Sequence, residues 1–379
     1  MASGHKYKRL DSLRGLAALS VGVGHAVLCV DFSQDSALQS TAVGIFNGDY
    51  AVDLFFVLSG FVLLNMVRGF SGAHYLAYLG RRFLRLYPLL WASLLIAFVA
   101  QTLIAAHAPA CGNLSGWICR LITRPGSLVA AMETGIPIHD HLDPVTWTVK
   151  IEVEASIVYP LVLMIWMRGD TLARIVTMTL AVVMAFTFSN QFFLHYLFLF
   201  VAGIALNDIR IRSARQARGA IAIGLILMGI CGFLLKGHSA AGDLVAGASA
   251  ALLIASIAHH QCPEWLAAVL DNRAVLKLGE ISYSYYLLNP IVLWVIARAS
   301  ARPLSRLLAS GGDERAFLVA ALLAVCAAFA GIIVATAADR LVGKPSIASS
   351  RAAERKILRL FGNEVRAPAS STSHESPAA

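Results

Sequence analysis

Residues 316–338 read AFLVAALLAVCAAFAGIIVATAA and contain no charged side chain. At a rise of about 1.5 Å per residue, an α-helix of this length is about 34 Å long, which matches the roughly 30 Å hydrocarbon core of a bilayer. The run is apolar on every helical face, so a soluble protein would have to bury it completely. This stretch therefore predicts a membrane-spanning helix.

The rest of the chain follows the same pattern. Hydrophobic residues make up 58% of the sequence and charged residues 14%, whereas about a quarter of the residues in a soluble domain are charged. The mean hydropathy is +0.70. This composition excludes an ordinary soluble enzyme, a coiled coil and a disordered chain. Ten apolar stretches of spanning length lie near residues 12–30, 50–67, 86–106, 145–167, 171–188, 191–207, 219–236, 241–258, 279–297 and 316–338.

These stretches predict an all-α fold, a polytopic membrane bundle of about ten transmembrane helices. We expect this transmembrane domain to occupy residues 1–342. Residues 343–379 lose the apolar pattern and are rich in Ser, Ala, Pro and charged residues. They predict a cytoplasmic tail that begins with a helical remnant and is otherwise largely disordered.

The positions of the basic residues predict the orientation. When the ten spans are threaded through a membrane, most of the 31 Lys and Arg residues fall on the side of the N-terminus. The positive-inside rule then predicts a multi-pass inner-membrane protein with both termini in the cytoplasm. The basic residues are scattered between apolar runs and form no single face, which argues against nucleic acid as a partner. The exception is the 298–315 loop, whose arginines could line a short interfacial helix or indicate a broken ninth span.

Charged side chains inside a span are costly and mark functional sites by default. Arg14 and His25 are eleven residues apart in the first span, so they share one helical face about 16 Å apart along the axis. Asp11 lies on the same stripe. An arginine offers a fork for phosphate, and an imidazole can take and return a proton. The structural alternative is an arginine that reaches the interface and a histidine bonded to a backbone carbonyl.

Other spans carry polar groups with similar alternatives. Asp53 opens the second span and could simply complement the helix dipole, and Ser59-Gly60 is typical of helix packing. Arg82 and Arg85 share one face of the third span, either as a topological anchor or as an anion clamp. In the ninth span, the hydroxyl of Tyr283 and the amide of Asn289 could bind a substrate or neighbouring helices.

The fourth span is the least apolar. Lys150 and Glu154 are four residues apart and could pair, which leaves Glu152 without a local partner. Glu152 is therefore the better candidate for a carboxylate that orients His25 or accepts its proton.

Two loop features have weaker implications. His139, Asp140 and His141 have metal-ligand chemistry but lie in a flexible loop, so we predict no metal site. Cys111 and Cys119 could close a short external loop as a disulfide.

Five segments, taken together, resemble the membrane acyltransferase-3 family, the O-acyltransferases that decorate bacterial glycans. The resemblance covers nearly all of residues 8–340. The segments are 10–18 (LDSLRGLAA, with Arg14 and His25 separated by ten residues), 52–61 (VDLFFVLSGF), 81–88 (RRFLRLYP), 147–160 (WTVKIEVEASIVYP) and 281–284 (ISYS). Each stands at the expected end of its span, and the order of the five makes the resemblance specific.

The resemblance implies an acyl-CoA donor, most simply acetyl-CoA, reached from the cytoplasm, and no permanently bound cofactor. The acceptor would be a hydroxyl of a surface or exported polysaccharide or a lipid-linked saccharide. It also implies His25 as the general base, supported by Glu152, with Arg14, Arg82 and Arg85 near the donor's phosphates. Candidate substrate-binding residues are Asp11, Asp53, Trp147, Tyr283 and Asn289. Besides membrane lipid, polysaccharide-assembly proteins are possible partners.

Two positions depart from the family pattern. Val153 stands where a second acidic residue is usual, and Asn289 replaces a histidine. Two alternative functions stay open at this point. The buried charges could form a proton or ion path of a transporter, although the sequence has no internal repeat, or the acceptor could be a small hydrophobic molecule.

Overall fold

The computed structural model describes residues 2–33, 35–67, 69–105, 114–120, 143–188, 193–209, 211–235, 239–258, 262–309 and 311–361. Within these ranges the regular structure is helical, and the β-pairing recorded there is one isolated bridge between Val30 and Leu114. The predicted all-α fold is confirmed.

The helices follow one another through the whole described chain. They are α1 (Ala2–Val27), α2 (Ala37–Ile45), α3 (Gly48–Leu63), α4 (Gly72–Ala105), α5 (Gly116–Arg120), α6 (Thr146–Arg168), α7 (Thr171–Thr187), α8 (Phe193–Ala205), α9 (Ala214–Phe233), α10 (Ala240–Ala258), α11 (Glu264–Leu270), α12 (Arg273–Glu280), α13 (Ser282–Ala299), α14 (Ala301–Ala309), α15 (Asp313–Ala338) and α16 (Lys344–Phe361). A π-helical turn, Asp339–Gly343, joins α15 to α16.

Each of the ten predicted spans corresponds to a helix, but the count of ten membrane crossings is not confirmed. Five segments of the described chain are long and apolar enough to cross a membrane: Ala37–Leu63, Gly72–Ile104, Ala214–Phe233, Ala240–Ala258 and Asp313–Phe361. Helices α7 and α8 are apolar but have only 17 and 13 residues. Helices α1 and α6 are long enough but contain the charged residues discussed above.

Short polar side chains set where several helices begin. The Asn47 side chain accepts a hydrogen bond from the backbone N–H of Tyr50 at 3.0 Å. Asp170 does the same for Ala173 at 2.9 Å at the start of α7. These caps satisfy N–H groups that have no partner within the helix, so they fix the helix starts at the ends of the bundle.

Helix α1 lies at the centre of the bundle and packs against α3, α12, α13 and α15. Its lower part meets α12 backbone to backbone, because a Cβ on Gly15 would lie 2.6 Å from the backbone nitrogen of Gly279. Arg9 binds both carboxylate oxygens of Asp271, at 2.9 and 2.7 Å. The Ser12 hydroxyl donates to the carbonyl of Leu270 at 2.7 Å. These contacts hold the base of α1 in place.

Helices α3 and α8 also meet through glycines. A Cβ on Gly60 would collide with the backbone of Phe200, and one on Gly203 would collide with the backbone of α3. Small residues let membrane helices approach closely, which compensates for the weak hydrophobic drive between helices in lipid. The predicted packing role of Gly60 is confirmed.

The outward face of α15 is apolar and exposed. Leu318, Val325 and Phe329 are 66%, 68% and 70% exposed, and their spacing of seven and four residues places them on one side of the helix. Such a stripe is typical of a surface that faces lipid.

Part of the predicted tail is ordered helix. Helix α16 packs along α4, where the Ser346 hydroxyl donates to the carbonyl of Leu84. Arg81 and the buried Glu354 form an ion pair at 3.0 Å. Residues 362–379, for which we predicted disorder, lie outside the described residues.

Two loop predictions are resolved in part. The 298–315 loop contains the short helix α14, with Arg302 and Arg306 exposed; its place at a membrane interface stays a prediction. Cys119 is disulfide-bonded, whereas its predicted partner Cys111 and the loop residues His139, Asp140 and His141 lie outside the described residues.

Candidate active site

Two cavities lie at opposite ends of the bundle. The first, which we call the His25 cavity, has a volume of about 730 Å³, and its walls include His25, Asp49, Trp147, Lys150, Tyr196 and Tyr286. The second, the Arg14 cavity, has a volume of about 290 Å³, and its walls include Asp11, Arg14, Arg82, Arg85, Glu152 and Tyr283. Ligand sites of proteins occupy roughly 300–1,000 Å³. The His25 cavity lies within this range and the Arg14 cavity at its lower limit, so each can hold part of a substrate.

Helix α1 connects the two cavities. Arg14 faces one and His25 faces the other, on a single unbroken helix. Eleven residues of α-helix correspond to about 16 Å. The shared helical face inferred from the sequence therefore leads from a cationic cavity to an imidazole.

Arg82 is bound by two side chains of α6. Its guanidinium binds a Glu152 oxygen at 2.8 Å and donates to the Ser156 hydroxyl at 3.0 Å. Ser59, which we expected only to pack helices, donates to the same Glu152 oxygen at 3.2 Å and lines the Arg14 cavity. With 6% of its surface exposed, Arg82 holds Glu152 in place and has little surface left for a ligand.

Arg85 differs from Arg82. It lines the Arg14 cavity, and no hydrogen bond or ion pair joins its guanidinium to the described residues. Arg14 shares the cavity and binds Asp11 at 3.0 Å through one nitrogen. Since guanidinium has five N–H donors, both arginines keep donors for an anion.

Further groups complete this cavity. Tyr283 donates from its hydroxyl to the carbonyl of Leu86 at 3.0 Å. Two more acids of the cavity wall are matched by lysines: Glu280 pairs with Lys277 at 2.9 Å, and Asp339 lies 3.8 Å from Lys344. The unmatched charge of the Arg14 cavity is therefore positive.

In the His25 cavity the imidazole packs against Trp117, with ring centroids 5.3 Å apart. Its Nδ1 atom is buried and has no hydrogen-bond partner among the described residues. Nε2 is thus the nitrogen left to exchange a proton with a ligand. Trp147, predicted as a substrate-binding residue, lines this cavity and packs against Tyr196 with centroids 5.9 Å apart.

The structure does not bring Glu152 to His25. Glu152 lines the Arg14 cavity and pairs with Arg82, whereas His25 lines the other cavity. The acidic residue that shares the His25 cavity is Asp49. Lys150 also lines that cavity. Glu154, one helical turn away, attracts its charge as the sequence suggested, although no salt bridge joins the two side chains in the described chain.

Two other candidates lie outside both cavities. Asp53 is only 1% exposed within the bundle. Asn289 donates to the Tyr285 hydroxyl at 2.8 Å and to the carbonyl of Ala327 at 3.3 Å. Asn289 thereby links α13 to α15. This is the contact with a neighbouring helix that the sequence offered as the alternative to substrate binding.

Sequence reasoning did not consider Asp49 as a site residue, and it gave Lys150 only a structural pairing with Glu154. Asp49 lies just before the segment 52–61, one helical turn before Asp53. Lys150 lies within the segment 147–160, one turn after Thr146 at the start of α6. Their position near the helix ends, at the same depth as His25, is the signal that could have identified them.

Comparisons with known proteins agree with this architecture. A family model described as an acyltransferase domain, Acyl_transf_3, matches residues 7–338. The O-acetyltransferase PaAT-1 of Phomopsis amygdali is 24% identical, over 94% of this chain and 86% of that protein. No solved structure matches the chain. The match and the apolar helices identify a membrane O-acyltransferase. The chain belongs to the acyltransferase-3 family.

Proposed function

We propose that this enzyme transfers an acetyl group from acetyl-CoA, held in the Arg14 cavity, to a saccharide hydroxyl in the His25 cavity. The observation that carries the proposal is that arginines with unmatched donors and an imidazole line two cavities that are joined by α1, with Arg14 and His25 eleven residues apart on that helix. The relative from Phomopsis amygdali is an O-acetyltransferase, which supports acetyl as the group transferred.

The donor's phosphates would bind Arg85 and Arg14. Guanidinium matches phosphate oxygens with paired, charge-assisted hydrogen bonds, and these two arginines have donors to offer. Arg82 acts through Glu152, as a positioning residue. Asp11 and Tyr283 shape the same cavity.

The transfer itself needs a base for the acceptor. The acceptor hydroxyl oxygen attacks the thioester carbonyl carbon, a C–O bond forms and the C–S bond breaks. The hydroxyl proton passes to Nε2 of His25 and then to the departing CoA thiolate, which leaves as the free thiol. General-base help of this kind contributes roughly 10²–10⁴-fold. Asp49, which shares the cavity, stabilises the imidazolium formed on the way.

The walls of the His25 cavity favour a polar acceptor. The Lys150 ammonium faces the cavity without an ion-pair partner among the described residues. An apolar acceptor would exclude water from that charge and leave it unsatisfied, which is costly. A sugar offers hydroxyls for Lys150, Asp49 and Asn47, and a flat apolar face for Trp147. This combination supports a glycan acceptor over a small hydrophobic one.

The test follows label from donor to acceptor. Membrane vesicles containing the enzyme are incubated with radioactive acetyl-CoA, and the glycan fraction is extracted. We expect His25→Ala to lower labelling by about 100-fold or more. His74→Ala is the matched control, since His74 lines neither cavity, and should label like wild type.

Each other outcome contradicts one part of the proposal. Equal labelling in wild type and His25→Ala would remove His25 as the base. Label recovered in small apolar alcohols and absent from glycan would overturn the acceptor class. If vesicles with the wild-type enzyme label no more glycan than vesicles without it, acetyl-CoA is overturned as the donor.

A further inference from the structure

The two cavities are separated by side chains that belong to both. Among the described residues, Val52 of α3 and Tyr286 of α13 line the Arg14 cavity and also the His25 cavity. Thr148 of α6 lines the Arg14 cavity directly beside Tyr286. We call Val52, Thr148 and Tyr286 the septum.

Hydrogen bonds fix the aromatic member of the septum. The hydroxyls of Tyr286 and Thr148 are 3.0 Å apart, and the Thr148 hydroxyl donates to the carbonyl of Val145 at 2.8 Å. A hydroxyl has one proton to give, so Tyr286 is the donor to Thr148. The ring also packs edge-on against Phe55, with centroids 5.4 Å apart. Tyr286 is thereby held across the boundary of the two cavities.

The proposed reaction requires the donor to cross this boundary. The phosphates are held by Arg14 and Arg85 on one side, and the base that activates the acceptor is on the other. The acyl carbon must come within roughly 3–3.5 Å of the acceptor oxygen. The acyl end therefore has to reach the His25 cavity between the septum side chains.

We propose that the septum is the passage for the acyl end of the donor and that its close packing restricts the enzyme to short acyl groups. This inference rests on the proposed function and adds its selectivity. Val52 and the Tyr286 ring present apolar surface to the acyl methyl. In a packed apolar passage one additional methylene changes reactivity by roughly 10–200-fold, so two additional carbons are strongly disfavoured.

The experiment compares acetyl-CoA with butyryl-CoA as donors for the reconstituted enzyme. Val52→Ala removes two methyl groups from the septum, and we expect the ratio of kcat/KM for butyryl-CoA to that for acetyl-CoA to rise by about tenfold or more. Val57→Ala is the matched control. Val57 is a buried valine of the same helix that lines neither cavity, and its substitution should leave the ratio at the wild-type value.

A second variant keeps the side-chain volume. Thr148→Val removes the partner of the Tyr286 hydroxyl and should raise the same ratio by a few-fold, because the ring is no longer held. Size-exclusion chromatography in detergent identifies which variants fold.

The outcomes separate this inference from the proposed function. A wild-type enzyme that uses acetyl-CoA, with an unchanged ratio in the folded septum variants, overturns the passage and leaves the reaction intact. A rise of the ratio in Val57→Ala equal to that in Val52→Ala would also overturn it. A wild-type enzyme that uses neither CoA donor overturns the proposed function and the septum together.

Discussion

Arg82 and Arg85 have the same charge and lie three residues apart on α4, yet their surroundings differ. Arg82 is bound to Glu152 and Ser156, whereas Arg85 faces the Arg14 cavity without an ion-pair partner in the described chain. A charge already neutralised by a protein carboxylate contributes less to binding an external anion. Replacing Arg85 should therefore weaken donor binding, whereas replacing Arg82 should lower the stability of the enzyme.

We expect Arg85→Ala to raise the KM for acetyl-CoA by about 10–100-fold, because a hydrogen bond to a charged group is worth about 1.5–3 kcal/mol. Arg82→Ala instead leaves Glu152 without its cation, which costs up to about 3–5 kcal/mol of stability. Steady-state kinetics and thermal unfolding of both purified variants measure this division. Equal effects of both variants on donor KM would assign Arg82 to phosphate binding as well.

Single residues also show where sequence reasoning stops. The spacing on α1 correctly placed Arg14 and His25 on one face, since helical geometry relates residues within one helix. The partner of Glu152 depends on which neighbouring helix lies opposite, and that is set by packing far along the chain. The sequence therefore identified Glu152 as inward-facing but assigned it to the wrong side of the bundle, away from Arg82.

At the scale of helices, α3 and α8 approach each other closely in the core. A Cβ on Gly203 would meet the backbone nitrogen of Phe61 at 2.6 Å and the carbonyl of Val57 at a still shorter distance. Helix α3 also holds Val52 of the septum, so the packing of α3 against α8 positions the proposed passage.

We predict that Gly203→Ala destabilises the enzyme by about 1–3 kcal/mol, the usual cost of forcing extra volume into a packed core. Gly219→Ala is the control, because nothing lies within 4 Å of a Cβ there. In an exposed helical site alanine should instead add about 0.5–1 kcal/mol. Thermal unfolding in detergent measures both changes. A neutral effect at Gly203 would mean that α3 and α8 can separate without loss of stability.

Considered as a whole, the molecule has two ends of different character. The end that includes the Arg14 cavity also holds α12 and α16, with the exposed basic residues Arg351, Arg355 and Lys356. The other end holds the His25 cavity and α14. By the positive-inside rule we propose that the basic end is cytoplasmic, which would present the Arg14 cavity to the proposed donor, cytoplasmic acetyl-CoA.

Thiol labelling of intact cells tests this orientation. In a chain whose exposed Cys326 is replaced by serine, an impermeant thiol reagent should label Leu307→Cys on α14 and spare Arg355→Cys on α16. Both positions are exposed, so a difference reports the side of the membrane. If only Arg355→Cys were labelled, the proposed orientation would be wrong and the Arg14 cavity would open to the outside.

The sequence was sufficient for the fold class and for a helix at each predicted span, because apolar length and polar caps are local properties. It did not determine how many helices cross the membrane, since α7 and α8 are short and α1 and α6 carry charge. Nor did it locate Asp49, Lys150 or the septum. The roles of these residues depend on the depth in the membrane at which separate helices meet, and the sequence of one span does not determine that depth.

The unbroken helix α1 sets a minimum length for the donor of the proposed reaction. Arg14 and His25 stand on this one helix, so the rise per residue fixes the roughly 16 Å between them. A donor must bridge that distance with its own atoms. Acetyl phosphate joins its anion to its acyl carbon through one oxygen and is too short, whereas the long, flexible pantetheine arm of CoA can extend between the two ends.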